Sequence, residues 1–131
     1  RATKEFLLKI VELERSRIKN LSNFLEVAGF FFELPEYGKE LLVWQKATPQ
    51  TTRKTLEEAL AVLEGTSDHS KKALAETFAP LVDARGRGEV FWPLRVAVSG
   101  QTASPDPLEI IEVLGIAEAK RRIKVALSKL Q

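Results

Sequence analysis

The least ordinary side chains of this sequence concentrate in Arg85–Gly100, Arg-Gly-Arg-Gly-Glu-Val-Phe-Trp-Pro-Leu-Arg-Val-Ala-Val-Ser-Gly. Phe91, Trp92 and Arg95 fall within one or two turns of each other, with Arg85 and Arg87 just before them. Unstacked RNA bases stack on aromatic rings and guanidinium planes and form hydrogen bonds along their exposed edges. The plainer arrangement puts Phe91 and Trp92 in a core and Arg95 in an internal ion pair, and composition by itself favours it. Acid–base chemistry finds less. Carboxylate pairs such as Glu57-Glu58 or Glu109 and Glu112 read as solvated helix faces. His69, beside Asp68 and Ser70 in the first turn of an expected helix, reads as a bystander. Arg85-Gly86-Arg87-Gly88 is not a phosphate loop, because no strand precedes it.

Composition narrows the classes further. The chain has 131 residues, 44% of them hydrophobic and 29% charged, enough for one ordinary domain or two very small ones. With no cysteine there is no disulfide scaffold, thiolate zinc site or cysteine nucleophile. A single histidine excludes a two-histidine metal motif. Apolar runs such as Val27–Phe32 and Val96–Val98 fall far short of the ~20 residues that span a bilayer. No membrane is therefore expected as a partner, and a cytoplasmic setting is the default. The absence of methionine leads us to expect a fragment of a longer protein.

The net charge of +2, from 20 Lys and Arg against 18 Asp and Glu, hides an uneven distribution. The first twenty residues hold six basic and three acidic side chains. Gln101–Ile116 holds three acidic and none basic, and Glu118–Gln131 five basic and one acidic. A nearly neutral chain can thus present a positive face of the kind phosphates seek. The competing explanation is that Lys120, Arg121 and Lys124 answer a helix dipole.

The elements that must position these residues are helical. Thr3 caps a run with Phe6, Leu7, Ile10, Val11 and Leu13 at three- and four-residue spacing, and Ile18, Leu21, Leu25, Ala28 and Phe32 form a second face. A short helix is expected around Leu41, Leu42 and Trp44, ending near Lys46. Thr48-Pro49 starts a helix with Leu56, Leu60 and Leu63 inward, stopped by Gly65. Ser67 or Asp68 opens the next, with Ala73, Leu74 and Phe78 inward and a kink or restart at Pro80. Arg85–Gly88 reads as a turn. Val90–Val98 has a strand-like composition, but one strand would have no partner. Ser104-Pro105 reads as another cap, before a helix from Leu108 to Leu114 stopped by Gly115; a last helix holds Ile116, Ile123, Leu127 and Leu130. The expected fold is all-α, a compact bundle of about six to eight short helices. Its N-terminal part extends to about residue 66 and its C-terminal part from about 67 to 131.

Phe91-Trp92-Pro93-Leu94-Arg95-Val96-Ala97-Val98-Ser99-Gly100, then Ser104-Pro105-Asp106-Pro107, Leu114-Gly115 and Arg121-Arg122-Ile123, resembles the C-terminal signature of bacterial glutamate–tRNA ligases. Glu14–Ser22 with Phe30-Phe31-Phe32 is similar to the helix pair opening that family's anticodon-binding region. The chain departs from the family where Asp106 or Pro107 replaces a frequent glycine and Ile116 a charged residue.

The resemblance implies the anticodon-binding domain of a class I aminoacyl-tRNA synthetase, with the anticodon loop of a glutamate tRNA and the parent's own catalytic domain as partners. ATP and Mg would serve the parent, which attaches glutamate to tRNA, and no cofactor is expected in this piece. The family's His-Ile-Gly-His and Lys-Met-Ser-Lys-Ser motifs cannot be present in full with one histidine and no methionine, so the piece is expected to be non-catalytic and monomeric. Arg95 becomes the leading candidate for a base contact. Ser104 and Pro105 offer a hydroxyl and backbone groups, and Trp92 either stacks on a base or supports Arg95. Arg87 flanks them, Arg15, Arg17 and Lys19 form a second set, and Arg121 is a phosphate contact or a solvated charge. The alternative function is a helical protein–protein interaction domain without an RNA role.

Overall fold

Thr48 and Thr51 close a reciprocal capping box: each side-chain oxygen accepts the other residue's backbone N–H at 3.1 Å. With Pro49 in the first turn and Gly65 at the end, they delimit the longest helix, Pro49–Glu64. The computed structural model describes residues 4–15 and 28–131. Among them are six α-helices: α1 (Lys4–Glu14), α2 (Pro49–Glu64), α3 (Lys71–Arg85), α4 (Arg87–Ser99), α5 (Pro107–Leu114) and α6 (Ile116–Lys129). Single 3₁₀ turns stand at Gly29–Phe31 and Lys39–Leu42, and no strand occurs among the described residues. The Thr3 cap and the Ile18–Leu25 face lie outside them.

Helix α4 is central. It packs on α2, α3, α5, α6 and the Lys39–Leu42 turn, and Val96, Ala97, Val98 and Ser99 are all fully buried. That enclosure explains the valine-rich run: the last turn of the helix, buried all round, shows no polar stripe. Leu56 and Leu63 of α2, Leu74 and Phe78 of α3, Ile110 and Ile111 of α5 and Ile123 of α6 complete the core. Each such side chain contributes roughly 1.5–3 kcal/mol by leaving water. Helices from both sides of residue 66 share this core, because α2 packs on α4 and α6.

Several local signals are read differently by the fold. The residues around Trp44 form no helix to Lys46; the 3₁₀ turn ends at Leu42 and Val43 is extended. Ser70, rather than Ser67 or Asp68, caps α3, since its Oγ accepts the Ala73 N–H. His69 therefore precedes the helix, and its Nδ1 lies 3.1 Å from the Glu112 carbonyl near the end of α5. Arg85–Gly88 is no extended turn. Gly86 alone breaks the chain, at φ +94°, and Arg87 and Gly88 are already helical. Helix α5 starts at Asp106-Pro107, not Ser104-Pro105: Asp106 Oδ1 accepts the Leu108 N–H at 2.8 Å. The residue before a proline is held out of helical geometry, so Pro107 postpones the start by two positions.

Pro80 does not restart the helix, because α3 runs through it. Buried Leu74 and Phe78 before it, and Leu81 and Val82 packed on the core after it, hold the helix across the missing hydrogen bond. Pro80 itself is exposed. Pro80→Ala is expected to restore a bond to the Glu76 carbonyl and raise stability by about 1–2 kcal/mol, once the greater freedom of the unfolded chain is subtracted. A urea midpoint that moves down instead would contradict this account of α3.

Candidate nucleic-acid interface

The Lys39–Leu42 turn and the segment after it are attached to α4 by two tryptophans. Trp92 donates its Nε1–H to the Leu41 carbonyl at 2.9 Å. Trp44 lays its ring against Gly88, so closely that a Cβ there would stand 2.5 Å from its Cζ2. On the same side of α4 the Arg87 guanidinium lies over the Phe91 ring, 4.9 Å from its centroid. Trp44, Arg87, Gly88, Phe91, Trp92 and Arg95 line an open hollow of about 210 Å³.

Arg95 is half pinned. Its Nη1 donates to the Ser104 carbonyl at 2.7 Å, and to Ser104 Oγ and the Pro105 carbonyl at 3.1 Å. Among the described residues its Nε and Nη2 hold no hydrogen bond and no carboxylate. The internal ion pair considered for Arg95 is therefore absent among them. Three acceptors fix one corner of the guanidinium and leave the rest of the fork available. Ser104 and Pro105 do converge on Arg95, but their oxygens are occupied by it; Ser104 Oγ also donates to the Pro105 carbonyl at 2.8 Å. The chemistry is that of a flat ring with acceptors on its edge: aromatic walls, one guanidinium on a ring face, and another with free donors.

The remaining candidates stand elsewhere. Arg85 is bound to Glu58 at 2.7 and 3.2 Å and faces Glu89, so it ties α3 to α2 and α4. Arg15 pairs with Glu12 at the exposed end of α1. Arg17 and Lys19 lie outside the described residues. Arg121, exposed on α6, makes a two-bond pair with Glu118 at 3.0 and 2.7 Å. Trp44 and Gly88 were not singled out from the sequence. The only local signal was a glycine inside a helix-length run, which marks close approach of another group.

A larger hollow of about 730 Å³ opens between α1, Ser67–Ser70 and α5. Its wall carries Glu12, Asp68, Glu109 and Glu112 against Lys9 and His69. That excess of carboxylates repels phosphate. The small aromatic hollow, rather than the large one, has the chemistry for nucleic acid.

Glu118 accepts hydrogen bonds from Arg121 and from Arg122, and these hold its carboxyl at about 2 against a burial effect that would raise it. A carboxyl depressed in the folded state stabilises above its unfolded value and loses that contribution as pH falls. Stability should therefore decline as pH falls from about 4.5 towards 2, and Glu118→Gln should flatten that part of the profile. Urea midpoints across this window check it, and identical slopes in both proteins would exclude Glu118 as the source.

Known proteins share this helical fold and much of this sequence. The family described as Anticodon binding domain matches residues 1–127. Glutamate–tRNA ligase of Clostridium tetani is 38% identical over 135 residues, covering 98% of this chain and 28% of that protein. The same ligase of Clostridium novyi is 36% identical over 130 residues, with 95% and 27% covered. The crystal structure of a glutamate tRNA ligase from Elizabethkingia meningosepticum superposes with a TM-score of 0.86 at 27% identity, over 100% of this chain and 26% of that one. The chain thus spans little more than a quarter of the length of the relatives it matches. The match over nearly the whole length leads to one conclusion: this chain belongs to the anticodon binding domain family.

Proposed function

We propose that the chain reads the anticodon of a glutamate tRNA as one part of a longer glutamate–tRNA ligase, which uses ATP to attach glutamate for protein synthesis. One observation carries the reading: Arg95 is fixed through Nη1 and, among the described residues, has no partner on Nε or Nη2 beside an aromatic hollow. An anticodon base, splayed from its loop, enters between the rings and presents acceptors to that free edge. Ser104 and Pro105 orient Arg95. Trp92 supports the site from α4 while Trp44 supplies the opposing ring. Arg87 adds positive charge, and Arg17 and Lys19 form an outer set for phosphate contact, which Arg15 and Arg121 join only as charges already shared with Glu12 and Glu118.

In this proposal the whole of residues 1–131 is one binding unit, its two parts meeting near residue 66. The catalytic portion of the same protein is its partner, in a cytoplasmic monomer. ATP and Mg belong to that other portion. Among the described residues no three His, Cys, Asp or Glu stand together as a metal site.

The test is binding of the chain to the anticodon stem-loop of a glutamate tRNA and to one with a swapped anticodon, over rising salt. The expected result is tighter binding of the first, with both weakening as salt releases the phosphate contacts. Equal affinity for the two would remove base reading. No binding at low salt would remove the RNA role altogether.

A further inference from the structure

Arg122 is the largest fully buried side chain among the described residues, with 1% of its surface exposed. A buried guanidinium carries a desolvation penalty that an apolar side chain of similar size would not. Its bonds show what it holds. Nε donates to Glu118 Oε2 on its own helix at 2.8 Å, and Nη1 donates to the Val98 carbonyl at 2.7 Å.

Val98 lies in the last turn of α4, where carbonyls have no partner within the helix. This end of α4 is closed one acceptor at a time. The Arg95 carbonyl takes the Ser99 hydroxyl at 2.7 Å, the Val96 carbonyl takes the Gly100 N–H at 2.7 Å, and the Val98 carbonyl takes Arg122. Gly100 then turns the chain at φ +70°, pressed so near Pro35 that a Cβ would meet it at 3.0 Å. The chain returns to bring Ser104 and Pro105 onto Arg95. The helix end that Arg122 grips is thus the root of the loop that fixes Arg95.

We propose that Arg122 is a positioning residue: by clamping the C-terminal carbonyl of α4 to α6, it holds the Ser99–Asp106 loop in the register that aims Arg95. Its role in base reading rests on the function proposed above. The clamp itself does not. Glu118 keeps Arg121 when Arg122 is removed, so losing the guanidinium leaves no uncompensated acid. A methionine of comparable length can fill the space. The consequence is local: the Val98 carbonyl loses its partner and the loop root loosens while the core stays packed.

The experiment compares the 131-residue chain with Arg122→Met and Arg122→Lys by amide hydrogen exchange and stem-loop binding. For Arg122→Met we expect exchange over residues 99–106 to accelerate about tenfold or more, with the core amides of α2 and α3 unchanged. The preference for the matched stem-loop over the swapped one should fall about tenfold, as for a weakened base contact. Lysine can reach one of the two oxygens but cannot fork to both, so Arg122→Lys should recover part of the protection and part of the preference. Unchanged exchange over 99–106 in folded Arg122→Met would overturn the proposal, as would uniform acceleration through the chain. Should Arg122→Met fail to fold, acceleration confined to 99–106 in Arg122→Lys upholds it, and uniform or absent acceleration overturns it. A wild-type chain that does not distinguish the stem-loops removes the RNA reading alone, and the exchange pattern still decides the clamp.

Discussion

Arg95→Ala is expected to lower affinity for the matched anticodon stem-loop by roughly 1–3 kcal/mol, about five- to 150-fold, with a smaller effect on the swapped one. The size follows from the geometry of the fork. Nη1 is already committed to Ser104 and Pro105, so the guanidinium is oriented before RNA arrives and little ordering remains to oppose binding. Alanine removes both the free edge and the anchor of the loop. Arg95→Lys separates these effects. A lysine can reach the loop carbonyls as a point donor but offers no second edge, so selectivity should fall while the salt dependence stays as it was. A phosphate-binding residue behaves differently, weakening both RNAs alike and reducing the salt slope by about one. That pattern for Arg95 would place it on the RNA backbone and move base reading elsewhere. Binding isotherms for both stem-loops at three salt concentrations distinguish the outcomes.

Phe78→Ala is expected to destabilise the fold by about 3–5 kcal/mol, a large part of the total for a domain of this size. Phe78 is fully buried on α3, two residues before Pro80. Beyond the lost transfer energy and the cavity, it is part of the packing that carries α3 across the proline. Urea unfolding should show a lower midpoint with an unchanged slope. Far-ultraviolet circular dichroism of the folded variant should report the same helix content. A loss below about 1 kcal/mol would mean that the helices around this position collapse into the gap. Combining Phe78→Ala with Pro80→Ala tests the coupling, since neighbouring changes in one helix should not add.

The helices were legible where their causes are local. Thr48-Pro49 and Gly65 bound α2 because capping and proline geometry need only a few neighbouring residues. Leu74 and Phe78 were recognisable as inward-facing from spacing, and both are fully buried. Ser104-Pro105 and Asp106-Pro107 carry the same cap-and-proline pattern. The choice between them fell to the restriction before Pro107, and Arg95 takes the oxygens of the pair left outside the helix. Gly88 looked like part of a turn because a glycine's reason is seldom in its own segment. Here the reason is the Trp44 ring.

Composition and the order of motifs in the sequence therefore determined much: an all-helical chain, the absence of cysteine chemistry, and a resemblance that the family match bears out over residues 1–127. The +2 net charge conveyed little, because binding depends on which cations keep a free face. Charge by itself put Arg85, Arg87, Arg95 and Arg121 on equal terms, and the family resemblance raised Arg95 above the others. Tertiary structure separated them. Arg85 and Arg121 are held by carboxylates, Arg87 rests on Phe91, and Arg95 is held by carbonyls on one nitrogen. A carboxylate neutralises a guanidinium, whereas a carbonyl only orients it. Glu118 stands within a turn of Arg121, but Glu58 reaches Arg85 across 27 positions, and the loop carbonyls reach Arg95 only because the chain folds back after Gly100.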